Sequence, residues 1–241
     1  VSLIKVWTNI PELLDIPECI PQPAHKFLPK WWKDTPVYTK ENLSFYEKLS
    51  DNFTVKKCPA FPEFLYQGIV IPMWCDSYLY SNKSEWKYKV PSSKFNWAIH
   101  KNNQFVDHIP SWAKDNIVAT FKSTCPWYIK TPPGYSVYQL PLFYNFNQNY
   151  TVAPGSIQTD KHHQINQQVL FHTKKEEILI PRGEPFVWYI PYKREEFTYS
   201  IIGGGEEEKQ DLKNSNIHID TKFSNGYSGH TENVCPMKNR S

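Results

Sequence analysis

The chain predicts a mainly β fold: a jelly-roll or cupin-like double-stranded β-helix sandwich with an extended N-terminal arm and a few short helices. Three observations point there. The sequence carries 20 prolines against 9 glycines and is 16% aromatic, which supplies large apolar surface for a core but too much proline for long helices. Short apolar segments follow one another through residues 69–192, separated by turn signatures and without an intervening helical period. The 241 residues suit one sandwich with a single core.

Residues 1–60 form the arm. Large apolar side chains alternate with proline at Ile16-Pro17, Ile20-Pro21-Gln22-Pro23 and Phe27-Leu28-Pro29, and proline pushes the residue before it to extended backbone. One helical turn is expected where Pro29 opens Lys30-Trp31-Trp32, with the tryptophans anchoring the arm to the body. A second short helix is expected over 62–67, ending at Gly68.

Strands are then expected at 69–75, at 84–90 paired with 94–100, and at 117–123, 127–131, 135–140, 157–159, 169–172, 177–181 and 185–192. Residues 108–112 read as a short docking turn. Pro132-Pro133-Gly134 and Pro181-Arg182-Gly183-Glu184 are turn signatures that join β-rich runs. The single domain is drawn over 1–202, and 203–241, opening with Gly203-Gly204-Gly205 and three glutamates, reads as a polar, partly ordered tail.

Net charge is +3 with basic and acidic residues interspersed, so no footprint for nucleic acid is expected. No apolar run approaches the roughly 20 residues that cross a bilayer, and residues 1–10 lack a signal-peptide pattern, so no membrane association and a cytoplasmic location in the host cell are expected, with virion association left open. Cys19, Cys58, Cys75, Cys125 and Cys235 form an odd set without a C-x-x-C pair and read as free, mostly buried thiols.

Two blocks go together: residues 23–32, Pro-Ala-His-Lys-Phe-Leu-Pro-Lys-Trp-Trp, with Lys57-Cys58-Pro59, and residues 126–135, Pro-Trp-Tyr-Ile-Lys-Thr-Pro-Pro-Gly-Tyr. The second runs on through Gly155 to Asp160 and Ile178 to Phe186. In these blocks, over residues 23–195, the chain resembles a family of uncharacterised proteins encoded by marine tailed phages and some bacteria. The resemblance implies a phage-type origin and a β-rich body; it brings no activity and no site residues.

The densest set of potential metal ligands is Asp160, His162, His163 and His172, whose imidazoles and carboxylate suit Fe, Mn, Ni or Zn. The pattern departs from a cupin's His-x-His, because adjacent residues on a strand point to opposite faces. His218-x-Asp220 has the spacing of two ligands on one strand face, but the following histidine, His230, comes too soon for an oxygenase triad. No nucleophile elbow or phosphate-cradling loop is present. The Asn-rich segment 140–150 gathers Phe143, Tyr144, Phe146 and Tyr150 and is the expected contact surface for a ligand or partner.

The expected function is therefore a non-enzymatic binding or interaction module, with a protein partner or self-association. A metal-dependent cupin-like enzyme and a carbohydrate-binding module are the alternatives. No cofactor is expected beyond the divalent metal that the enzyme alternative would need.

Overall fold

In the computed structural model, residues 3–40, 42–44, 52–82, 85–172 and 176–225 are described, with side chains to 215. The chain divides into two compact units, residues 1–27 with 67–195 and residues 28–66 with 196–241.

The first unit is built from three antiparallel sheets arranged as a sandwich. One sheet has the order β1 (Lys5–Thr8), β7 (Ala119–Lys130), β11 (Gln164–Phe171), β9 (Tyr150–Val152), with β6 (Trp97–His100) also on β7. The second runs β10 (Gly155–Ile157), β8 (Tyr135–Leu140), β13 (Pro185–Lys193), β3 (Ile69–Pro72), β2 (Gln22–Pro23). A third, smaller sheet has the order β12 (Glu177–Ile180), β4 (Ser77–Ser81), β5 (Trp86–Lys89).

Strand β8 falls on its expected residues, and β3, β12 and β13 start where expected. Elsewhere, tertiary pairing changed the pattern. The segments expected at 84–90 and 94–100 do not pair with each other: β5 pairs with β4, and β6 pairs with β7. The segments at 117–123 and 127–131 merge into the 12-residue β7. Pro126 sits where the register slips, three residues of β7 spanning one of β11 between the pairs Thr124–Asn166 and Tyr128–Gln164. A bulge needs no ladder bond from the extra residue, so a proline without an N–H is tolerated there.

The arm opens with β1, which pairs with the second half of β7, Val6 opposite Ile129. Short 3-10 turns at Pro11–Asp15 and Pro17–Cys19 then bring Leu13 and Cys19 into the core. That core is contributed by one side of each sheet: Phe121 and Cys125 of β7, Ile165, Val169 and Phe171 of β11, Val137 of β8, and Val187 and Tyr189 of β13. Gly68 turns into β3 at φ +68°, and a Cβ there would meet the Tyr189 carbonyl oxygen at 2.1 Å, so the close approach of backbone requires glycine.

A buried polar chain runs through this core. Ser123 Oγ donates to Gln167 Oε1 (2.5 Å), Gln167 Nε2 to Tyr189 Oη (2.7 Å), Tyr189 Oη to Gln139 Oε1 (2.9 Å), and Gln139 Nε2 to the Ala153 carbonyl (3.0 Å). Each link passes its hydrogen in the same direction, which fixes both amide orientations and ties β7 and β11 of one sheet to β13 and β8 of the other.

In the second unit, α1 (Lys30–Asp34) follows Pro29, and Trp32 stacks on Phe61 of α2 (Ala60–Leu65) with centroids 5.8 Å apart. Lys56 Nζ donates to the Lys33 carbonyl at 3.0 Å, and Tyr38 forms an isolated antiparallel bridge with Phe53. The tail contains helix α3 (Glu206–Asn225), whose entry is held by the Gly205 N–H donating to Glu208 at 2.7 Å. His218 and Asp220 lie within this helix and not on a strand, so the strand spacing that suggested paired ligands does not apply; His230 lies outside the described residues. Among the described residues no helix is long and apolar enough to cross a membrane.

Candidate functional site

Alternation along β7 and β11 sends Phe121, Ser123, Gln167 and Val169 into the core and Thr120, Lys122, Asn166 and Gln168 to the opposite face. On an exposed sheet those outward residues would be solvated. Here Thr120 is only 3% exposed and Lys122, Asn166 and Gln168 are half-buried. The cover comes from Gln104 and Phe105, which follow β6, and from residues 153–157, which lead from β9 into β10. Between cover and sheet lies a cleft of about 480 Å³.

Two cross-strand rows make its floor. His100 lies opposite Thr120, which lies opposite Leu170; beside them Ala98 lies opposite Lys122, which lies opposite Gln168. Gln164, Asn166 and Gln168 add a file of amides along one face of β11, and Gln104, Gln139, Ser156 and His162 complete the polar lining. Phe105, Ile157 and Leu170 supply apolar wall. No carboxylate is among the lining side chains.

Four buried side-chain polar atoms among the described residues have no hydrogen-bond partner in the protein: His100 Nε2, Thr120 Oγ1, Asn166 Oδ1 and Trp127 Nε1. Three of them belong to residues that line this one cleft. A buried polar atom left without a partner costs about 1–3 kcal/mol, so three of them in residues that line one cleft set this face apart from the rest of the fold.

The four residues expected to gather a metal are spread apart in their bonding. Both Asp160 carboxylate oxygens are taken by Arg194, at 3.0 Å from Nη1 and 2.5 Å from Nη2, with the Gly134 N–H adding a third bond at 3.0 Å. This bidentate pair holds the Asp160 carboxyl down at about 2. Arg194 also donates to the Tyr135 carbonyl and to Ser136, so the pair clamps the Pro-Pro-Gly turn to the end of β13. His163 donates from Nδ1 to the Thr159 carbonyl at 2.9 Å and sets its ring edge-on to Trp7. His172 Nε2 is 2.8 Å from Thr151 Oγ1. Only His162 of the four lines the cleft. Among the described residues no group of three or more His, Cys, Asp or Glu side chains is placed to hold a metal ion.

The aromatic segment divides as well. Phe143 and Phe146 are 49% and 66% exposed, and Phe146 adopts a left-handed backbone at φ 51°, uncommon for a bulky residue. Tyr144 is half-buried. Tyr150 is buried on β9 against Phe186, with its hydroxyl donating to Glu184 at 3.0 Å. Burial raises the Glu184 carboxyl, and burial with the nearby Glu184 raises the Tyr150 hydroxyl.

Cys19, Cys58, Cys75 and Cys125 are free thiols, and Cys235 lies outside the described residues. Burial pushes Cys125 up to about 12 and Cys19 and Cys75 up to about 11, which keeps these three protonated and poorly nucleophilic at neutral pH.

Sequence reasoning did not single out His100, Thr120, Lys122, Asn166 or Gln168. The polar alternation in Gln164-Ile165-Asn166-Gln167-Gln168-Val169 was its only trace, and alternation cannot distinguish an outer face open to water from one roofed by a distant loop.

No family model matches the chain, and no curated protein does. Among solved structures, two of the dUTPase from phage phi11 of S. aureus are similar at a TM-score of 0.32 and 8% identity, covering 58% of this chain and 85% and 84% of theirs. A likeness at that score carries no argument about fold or function.

Proposed function

We propose that the protein is a non-enzymatic binding module of phage type, a jelly-roll-like sandwich that holds a small polar ligand in the cleft over β6, β7 and β11. The observation that carries this reading is the gathering of His100 Nε2, Thr120 Oγ1 and Asn166 Oδ1, buried and without partners, in residues lining one cavity.

Strand pairing supports the fold part of the reading. Taking β3, β7, β8, β10, β11 and β13 in chain order, the pairs nest from the outside in: β3 with β13, β7 with β11, β8 with β10. Nested antiparallel pairing is how a long hairpin wraps into a jelly roll. Support for binding comes from the lining, which presents amides and hydroxyls around Lys122 and two imidazoles.

The test is a fragment screen followed through side-chain amide resonances in ¹H–¹⁵N spectra. Hits that shift the amides of Gln164, Asn166 and Gln168 together are the expected result. A screen in which no fragment moves them, or in which every hit maps to another surface, overturns the reading.

A further inference from the structure

The charge of the cleft says what kind of ligand it suits. Lys122 stands on its floor between Ala98 and Gln168, half-buried, and forms no ion pair among the described residues. The titratable side chains that line the cleft with it are His100 and His162, which are neutral or positive and never negative. A lysine that lines a cleft with no counter-charge beside it is an arrangement that suits an incoming anion. The Thr120 hydroxyl and the side-chain N–H groups of the amides are suited to oxyanion oxygens, the acceptor Asn166 Oδ1 is not served by them, and Phe105, Ile157 and Leu170 form a wall with nothing to offer a charge.

We infer that the ligand is a small amphipathic oxyanion, a phosphate monoester or carboxylate whose charged head meets Lys122 and whose apolar body lies against Phe105, Ile157 and Leu170. This rests on the cleft's being a ligand site. It adds the sign of the ligand's charge and the polarity of its two ends.

Phenyl phosphate, benzoate and benzyl alcohol share one ring and differ in the head group, so titrating all three into the full chain isolates the charge. At least one anion is expected to bind about ten-fold or more tighter than benzyl alcohol, the scale of a charge-assisted bond. Lys122→Met is expected to erase that preference while keeping the folded amide spectrum, and Lys122→Arg to retain it. A stronger response to phenyl phosphate identifies a phosphate head, and a stronger response to benzoate a carboxylate. Benzyl alcohol binding as tightly as both anions, or a preference that survives Lys122→Met, overturns the oxyanion assignment and leaves the cleft as a neutral polar site. The same assignment fails if all three probes leave the cleft amides unmoved in a protein where neutral fragments shift them.

Discussion

On the core side of β7 and β11, Ser123 and Gln167 are wholly buried, and every link from them through Tyr189 and Gln139 to the Ala153 carbonyl is made. On the other side of the same strands, Thr120 and Asn166 bury an oxygen apiece with no partner, as His100 buries a nitrogen. The residue types are alike and the strands are shared, so propensity does not separate the two faces. The difference lies in completeness: a closed polar chain specifies how the two sheets face each other, whereas an open set of donors and acceptors keeps bonding capacity for another molecule. Gln139 touches both regions, since it ends the buried chain and also lines the cleft.

Breaking the closed side gives the largest effect. Gln167→Leu keeps the volume but leaves Ser123 without its partner and Tyr189 with Gln139 alone at full burial, and an expected loss of about 2 kcal/mol in urea unfolding follows from orphaning one buried hydroxyl and removing a bond from another. If that variant unfolds at the wild-type midpoint, the chain contributes nothing and the comparison fails on its structural side.

A smaller, pH-dependent effect separates two carboxylates that differ in the same way. Asp160 has a full set of donors and is held at about 2, below its ordinary 3.8; its stabilisation is present above 3.8 and is lost as pH falls toward 2. Glu184 has Tyr150 and Asn147 as donors but no cation among its bonds, and burial raises it above its ordinary 4.5. Its protonated form is the one that folding favours, so that contribution is complete below 4.5 and disappears as pH rises through the raised value. Thermal unfolding across this range should therefore show that Asp160→Asn flattens the acid limb and Glu184→Gln flattens a loss above 4.5. Identical slopes for the two variants would contradict the contrast.

The smallest effect has the opposite sign. Thr120→Val removes an orphaned hydroxyl at nearly constant shape, and the ligand-free protein is expected to gain about 1 kcal/mol in unfolding free energy while its fragment affinity falls. A destabilised Thr120→Val protein would show that the hydroxyl already serves the fold.

Much of the strand content was legible because apolar alternation reports a half-buried sheet directly: β8 was read at its own boundaries, and β3, β12 and β13 from their first residues. Strand β4 was missed, although Ser77-Tyr78-Leu79-Tyr80-Ser81 alternates, because no turn signature sets it off from β3. The division of β7 into 117–123 and 127–131 failed for a different reason. A proline's local effect is fixed, but the bulge that absorbs it depends on β11, some forty residues away.

The candidate site was less legible. Asp160, His162, His163 and His172 were grouped by proximity in sequence, and pairing then sent them to Arg194, the cleft, Trp7 and Thr151. The residues that do meet come from β6, β7 and β11, and no local pattern links His100 to Asn166. By itself the sequence determined a strand-rich, proline-punctuated chain with free thiols, because backbone restriction, side-chain alternation and cysteine spacing act over a few residues. Tertiary structure alone decided which polar face would be closed by hydrogen bonds and which roofed and left open, because a polar atom's satisfaction depends on what distant segments bring within about 3 Å of it.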